Sequence, residues 1–395
     1  MNSRKIQSFC EEYGIDRKQT NCLKWDCLQE RFGNKDLLPM WIADMEFKAP
    51  KATREAMIER IEHGVFGYTC IPDSYYDAYF EWQNSRYGVG LKKEWIRFSQ
   101  GVVQAFYAMI DLFTEQGDSV LFLTPVYYPF FNAVKDQKRH LVTLELDSEK
   151  GNYTLDFEEF ERKIVEEKVK LFIQCSPHNP VGKVWTKEEL TEIARICKKH
   201  DVFIVSDEIH QDILKKGVQF TSALNLDASY FNKLIVLNAP SKTFNLACLL
   251  HAHIVIPNKQ LRAQFDAYAN IHLKSEPSLM GVIATEASYR GGKEWLDGLL
   301  EVIDANFDYL EETLALKAPQ IVLSNRQGTY LAWLDLSAYV EPKQLKEFIQ
   351  DKCGLAVDFG SWFSPNTKGF VRLNLATKPE YVQQAVNKIV ENLQK

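Results

Sequence analysis

The middle of the chain alternates short apolar, β-branched runs with amphipathic helical patterns, and this alternation constrains the fold more than any other feature. Ser119–Leu123 reads as a strand, as do His140–Leu146, Lys170–Cys175, Val202–Ser206, Lys233–Leu237 and His253–Ile256. The clearest helix between them is Thr186–Lys199. Thr186 is placed to cap it, Glu189 completes a capping box, and Leu190, Ile193, Ala194 and Cys197 form one apolar stripe. The alternation predicts an α/β fold, a mostly parallel sheet wrapped by helices.

The ends read differently. Residues 1–48 look irregular, with Trp25, Trp41 and several turn formers. After about residue 285 comes a long helical pattern, then short strands at Thr329–Leu334 and Phe370–Leu375, then a closing helix to Lys395. At 395 residues the chain exceeds the ~250–300 that one core usually holds, so two domains are expected. The expected division is a large α/β domain at 49–285 and a smaller α+β domain from 1–48 and 286–395.

Composition narrows the function classes. With 46% hydrophobic and 25% charged residues, the chain is neither disordered nor a coiled coil. A net charge of −6 does not favour a nucleic-acid partner, whose phosphates call for basic patches. Met1–Glu12 has no apolar core of a secretory signal, and no stretch of ~20 apolar residues suggests a membrane span. The most apolar region, Leu234–Pro257, is interrupted by Lys242, Asn245 and two histidines. Eight cysteines without a signal suggest reduced thiols, so a cytoplasmic protein is expected.

Most familiar fingerprints fail. Gly88-x-Gly90 lacks the third glycine of a dinucleotide loop, and Cys22 and Cys27 have no second pair to complete a zinc site. His251 and His253 share one face of a strand and read as hydrogen-bonded core histidines, so no metal is expected. Four other segments carry more. Ala239-Pro240-Ser241-Lys242-Thr243-Phe244-Asn245 follows an apolar strand, and burial there would depress the pKa of Lys242 as Schiff-base chemistry requires; a surface lysine is the plain alternative. Val205-Ser206-Asp207-Glu208-Ile209-His210 puts Asp207 at the carboxyl edge of the sheet, where ligands of open α/β folds bind and where a carboxylate can pair with a protonated pyridine nitrogen; a helix cap is the alternative. Ser176-Pro177-His178-Asn179-Pro180-Val181-Gly182 holds Asn179 on a stiff turn. Ser99-Gln100-Gly101-Val102-Val103-Gln104-Ala105 places a glycine where a strand meets a helix, offering free N–H groups to a phosphate, or simply a helix start.

Together, in this order and spacing, these segments resemble the fold-type I pyridoxal-phosphate (PLP) enzymes of the aminotransferase class I/II superfamily, and within them the cystalysin-like cystathionine β-lyases. The resemblance runs from Lys24-Trp25-Asp26 and Trp41-Ile42-Ala43-Asp44-Met45 to Val371-Arg372-Leu373-Asn374, with Ser-Lys-Thr-Phe-Asn following Asp-Glu-Ile-His by 35 residues, aspartate to lysine. It implies a large PLP-binding domain with a mostly parallel sheet of the seven-stranded type. It implies that Lys242 bonds the cofactor and serves as base at Cα, that Asp207 pairs with the pyridine nitrogen, and that Asn179 bonds the ring hydroxyl and borders the substrate. His210 stands where transaminating relatives usually carry tyrosine. By the same resemblance Tyr127 stacks on the ring, Tyr128 lies beside it and touches substrate, and Val102, Val103 and Ser241 hold the phosphate. Tyr68 reaches the phosphate of a neighbouring subunit, making a homodimer. Arg372 clamps the substrate carboxylate and Ala43 lines the pocket next to it.

The chain departs from the family pattern at Cys248 (usually glycine), Gln104 (often proline), Cys22 (often serine) and Glu46 (usually aspartate). A side chain at 248 is expected to crowd the segment behind Lys242. The implied reaction is α,β-elimination from a small sulfur amino acid, L-cystathionine or L-cysteine, giving pyruvate, ammonia and homocysteine or hydrogen sulfide. The alternatives are a class I/II aminotransferase and, from another class, a regulatory binding protein on the same fold.

Overall fold

The computed structural model describes residues 3–273 and 277–393. Seven strands form the main sheet, in the order Ile96–Ser99, Ala252–Val255, Leu234–Asn238, Phe203–Asp207, Val169–Cys175, Ser119–Thr124 and His140–Glu145. Ala252–Val255 runs antiparallel to both neighbours, and the other neighbouring pairs are parallel. Ser119–Thr124 and Leu234–Asn238 are buried at every position, as expected of strands covered on both faces. The six strands expected from sequence are all present, displaced at their ends by at most one residue. The strand implied before the Gly101 junction is Ile96–Ser99, whose Ile-Arg-Phe-Ser sequence is only partly buried, at the sheet's edge.

Helices cover both faces. On one side Val102–Phe113, Pro129–Asp136 and Lys259–His272 bury Phe106, Phe130, Leu261 and Phe265. On the other, Asp73–Tyr87, Phe157–Glu166 and Lys187–Lys199 bury Trp82, Phe160, Leu190 and Ile193. Lys187–Lys199 begins at Thr186, and both halves of the expected capping box are formed.

A second sheet of four antiparallel strands has the order Val322–Leu323, Leu331–Asp335, Phe370–Asn374, Asp358–Phe359. Leu38–Pro39 pairs in parallel with Leu355–Ala356, tying the N-terminal segment to this region. Helix Lys293–Lys317 packs against the closing helix Pro379–Leu393, while Lys395 lies outside the described residues. Residues 1–48 are less irregular than expected. Ser3–Tyr13 is a helix of 11 residues, and Phe9 packs on Trp295 with ring centroids 5.8 Å apart. Ile6, Phe9, Cys10 and Tyr13 carry the helical spacing that the many polar neighbours obscured. Among the described residues no helix is long and apolar enough to cross a membrane.

Candidate active site

Strand pairing sets the site. Cys175 pairs with Asp207 and Asp207 with Leu237, so the central strands end level with one another and their loops leave from one edge. A cavity of about 180 Å³ opens there. Its walls include Gly101, Val102 and Val103 at a helix start, Asn179, Asp207 and His210 from two strand-end loops, and Ser241 and Lys242 from a third. Tyr127 and Ala43 complete the set of expected residues on the lining. A wider, open cleft of about 980 Å³ lies between the Glu81–Tyr87 end of a helix and the 214–221 loop, and no residue of the four motif segments lines it.

Lys242 sits in the short helical turn Pro240–Thr243, directly beyond strand Leu234–Asn238. Its Nζ donates to the Ala43 carbonyl at 2.7 Å. Burial pushes its pKa down to about 8 against the pull of Asp44; Arg372 adds to the depression and Asp207 opposes it. The turn is pinned by Asn245, which takes a left-handed backbone (φ 60°) and bonds Met45 and Phe47 on the strap 43–47.

Asp207 ends its strand with Oδ1 accepting from the Ile209 amide at 3.1 Å. Burial raises its pKa to about 7, and the Ile209 amide and Lys242 only partly offset this. His210, three residues on, is buried, with its ring set edge-on to Tyr330 at 5.8 Å. Burial holds its pKa well below the usual range, with Lys242 and Arg372 adding to the effect, and its Nδ1 has no hydrogen-bond partner among the described residues.

Arg372 enters from the second sheet, on strand Phe370–Asn374 opposite Asp358. Its Nη1 donates to Asn179 Oδ1 at 2.9 Å, its Nη2 pairs with Asp358, and its guanidinium lies over Phe363 at 4.9 Å. The structure thus joins Asn179 and Arg372 directly. Tyr127 is largely buried and burial pushes its phenol up; Tyr128 is partly exposed, 5.3 Å from Tyr127 between ring centroids, and lies beside the cavity rather than on its lining. Helix Val102–Phe113 starts at the cavity, and the N–H groups of a first turn have no partner inside their helix. Tyr68 is fully exposed and away from this chain's own cavity.

Several residues escaped the sequence reading. Tyr330 donates from its hydroxyl to the Ala43 carbonyl at 2.9 Å, and no local pattern marks it. Asp358, the partner of Arg372, is equally unmarked. Cys175 lines the cavity at a strand end, which the strand-edge rule could have found. His251 and His253 both bond the Tyr75 hydroxyl at 2.6 Å, so they are hydrogen-bonded core histidines as expected, although His251 also borders the cavity. Cys248 does not crowd Lys242: its side chain is exposed, in the turn Ala247–Leu249. Gln104 accepts from the amide of Gln100, just before the helix start, at 2.9 Å.

Fold and cavity together define a fold-type I architecture. The chain belongs to the aminotransferase class I and II family, whose model matches residues 36–389. It is 38% identical over 375 residues to the cystathionine β-lyase PatB of Bacillus subtilis, covering 95% of this chain and 97% of that protein. Protein MalY of Escherichia coli is 30% identical, with 94% and 95% covered. Cystalysin from Treponema denticola, solved with pyridoxal 5′-phosphate, superposes with a TM-score of 0.92 at 34% identity, covering 96% of this chain and 97% of that one.

Proposed function

We propose that this chain is a PLP-dependent carbon–sulfur β-lyase that splits L-cystathionine or L-cysteine into pyruvate, ammonia and the corresponding thiol. The observation that carries the reading is the meeting of Lys242 and Asp207 in one cavity, with Arg372 close enough to add to the depression of the Lys242 pKa. The names of the B. subtilis and T. denticola relatives support the same chemistry.

The residues fit the cofactor. A buried carboxyl raised to about 7 is one that a protonated ring nitrogen would hold ionised. An unpartnered buried His210 Nδ1 and a helix start at the cavity supply polar contacts for the ring and the phosphate. On this reading Asp207, Asn179, His210 and Tyr127 hold the ring, while Val102, Val103 and Ser241 hold the phosphate. When bound, pyridoxal 5′-phosphate supplies the electron sink that lets a Cα–H bond ionise and a β-substituent leave.

The remaining work belongs to this chain. Lys242 takes the Cα proton at Nζ, and its burial, which favours the neutral amine, suits it to that task. Arg372 binds the α-carboxylate, its fork already oriented by Asn179 and Asp358. Ala43, with no bulk beyond Cβ, leaves room beside the substrate, and Tyr128, at the cavity's margin, would touch the substrate from there. The division into a 49–285 domain and a 1–48 plus 286–395 domain belongs to the same reading and is supported by the two separate sheets. So does a homodimer in which Tyr68 serves the partner's phosphate, supported by the exposure of Val65, Phe66 and Tyr68 in one run. A cytoplasmic location completes it.

The experiment is to supply L-cystathionine with no 2-oxo acid. Sustained release of pyruvate and ammonia in equal amounts is expected. Turnover that requires added 2-oxo acid would make the chain an aminotransferase instead. The absence of a tyrosine hydroxyl at position 210 favours the lyase.

A further inference from the structure

The loop that leaves strand Phe203–Asp207 carries a third buried acid, Asp212, which the chemistry above does not use. It is 1% exposed and does not line the cavity. It lies behind the lysine turn and gathers three hydrogen-bond donors and one cation from two elements. Thr243 Oγ1 donates to Oδ2 at 2.7 Å. Oδ1 accepts from Trp82 Nε1 at 3.0 Å and from the Tyr87 hydroxyl, and it forms an ion pair with Arg86 Nε at 3.2 Å, all on helix Asp73–Tyr87.

We propose that Asp212, acting through Thr243, is the positioning residue for Lys242. The lysine turn has only four residues and closes with two bonds, Phe244 N–H to the Pro240 carbonyl at 2.9 Å and Leu246 N–H to the Ser241 carbonyl at 3.0 Å, too few for so short a helix to hold its shape alone. Two anchors follow Lys242 within three residues. Thr243 fastens the turn to Asp212, and Asn245 fastens it to the strap. Asp212 and Asp207 share one loop, so the Thr243 bond sets the spacing between the amine and the carboxyl that face each other across the cavity. The effect is geometric: the charges acting on Lys242 are those of Asp44, Arg372 and Asp207, and Asp212 is not among them. Two of the three hydrogen-bond donors are aromatic side chains of a well-packed helix, with Trp82 against Phe244 at 5.4 Å, which makes the anchor stiff.

The inference rests on the PLP reading, and its test separates the two. Thr243→Val removes the hydroxyl at constant shape, Thr243→Ser restores it, and Asp212→Asn leaves one oxygen for three donors and removes the charge paired with Arg86. Three quantities are read: the acylation rate of Lys242 in cofactor-free protein by peptide mass spectrometry, the affinity for pyridoxal 5′-phosphate by absorbance, and Tm. Thr243→Val is expected to weaken cofactor binding about tenfold and to change the acylation rate about threefold or more, the scale of one buried hydrogen bond, with Tm lowered by a few degrees. Thr243→Ser is expected to return both to wild-type values, and Asp212→Asn to move both in the direction of Thr243→Val. If Thr243→Val keeps wild-type acylation and affinity, or Thr243→Ser fails to restore them, Asp212 is a packing residue and the inference is wrong. The Thr243 pair decides the matter even if Asp212→Asn does not fold. A wild type that takes up no cofactor overturns the PLP reading, while the acylation rates still test the anchor.

Discussion

Two regions meet at the cavity and are held by different forces. Asp207 and Lys242 stand at the ends of neighbouring strands, fixed by apolar runs that are buried almost without interruption. Ala43 and Arg372 arrive from segments 199 and 193 residues away from their partners Lys242 and Asn179, and polar contacts keep them there. Beneath the strap, Lys24 is fully buried against Glu46 at 3.0 Å, with Arg17 bonding Asp44 at 2.7 Å. The sheet edge can therefore lose polar groups with little harm to folding, whereas the strap depends on them.

The largest effect belongs to the sheet edge and concerns activity alone. Lys242→Ala is expected to lower cystathionine cleavage by roughly 10³-fold or more, since it removes the general base and the cofactor's anchor together. Its cofactor-free Tm is expected to equal or exceed that of wild type, because a buried ammonium with a depressed pKa burdens the fold. Pyruvate release and calorimetry on one preparation check both halves; a lower Tm would make Lys242 a structural residue.

The strap responds in the opposite way. Lys24→Met strands Glu46, which keeps only Trp25 Nε1 at 3.2 Å and Arg17 at 3.5 Å. Breaking a buried pair on one side costs about 3–5 kcal/mol, and the surviving partners place this case at about 3 kcal/mol. The double variant Lys24→Met/Glu46→Gln is expected to recover more than half, as urea unfolding would show.

A third prediction concerns pH. The Asp207 carboxyl is raised to about 7 in the fold from about 4, so between these values the folded state keeps a proton that the unfolded chain has lost. Fewer protons bound in the unfolded state means that stability falls as pH rises. Relative to Asp207→Asn, the cofactor-free wild type is expected to lose stability on the order of 3 kcal/mol from pH 4 to pH 7 and to level off above. Pyridoxal 5′-phosphate is expected to reduce that loss. A difference curve flat over this range would mean the carboxyl is solvated.

The same contrast explains what the sequence made legible. The sheet's strands could be placed because each is a local run of apolar residues, and Asp207, Lys242 and Asn179 could be placed because they follow such runs. Arg372 and Ala43 were named through family resemblance, since nothing in their local sequence points to Asn179 or Lys242, the residues they contact. Asp358, Tyr330 and the buried Lys24–Glu46 pair went unread because long-range polar partners leave no periodic trace. Helix Ser3–Tyr13 did carry a periodic stripe, but polar residues on its other face made the segment look irregular.

The smallest expected effect tests the most local reading. Thr186 accepts from the Glu189 amide at 3.2 Å while the Glu189 side chain accepts from the Thr186 amide at 2.8 Å. Thr186→Ala removes the first bond and leaves the second, so about 1 kcal/mol of stability should be lost. Glu189 also holds Lys183 at 2.8 Å, so Glu189→Ala should cost slightly more by freeing that partly buried amine. Neither change touches the cavity, so cystathionine cleavage at 25 °C should stay within about twofold of wild type. A larger loss of activity than of stability would mean that helix Lys187–Lys199 transmits strain to the Asn179 turn, and that the sheet side of the molecule is less self-contained than its burial suggests.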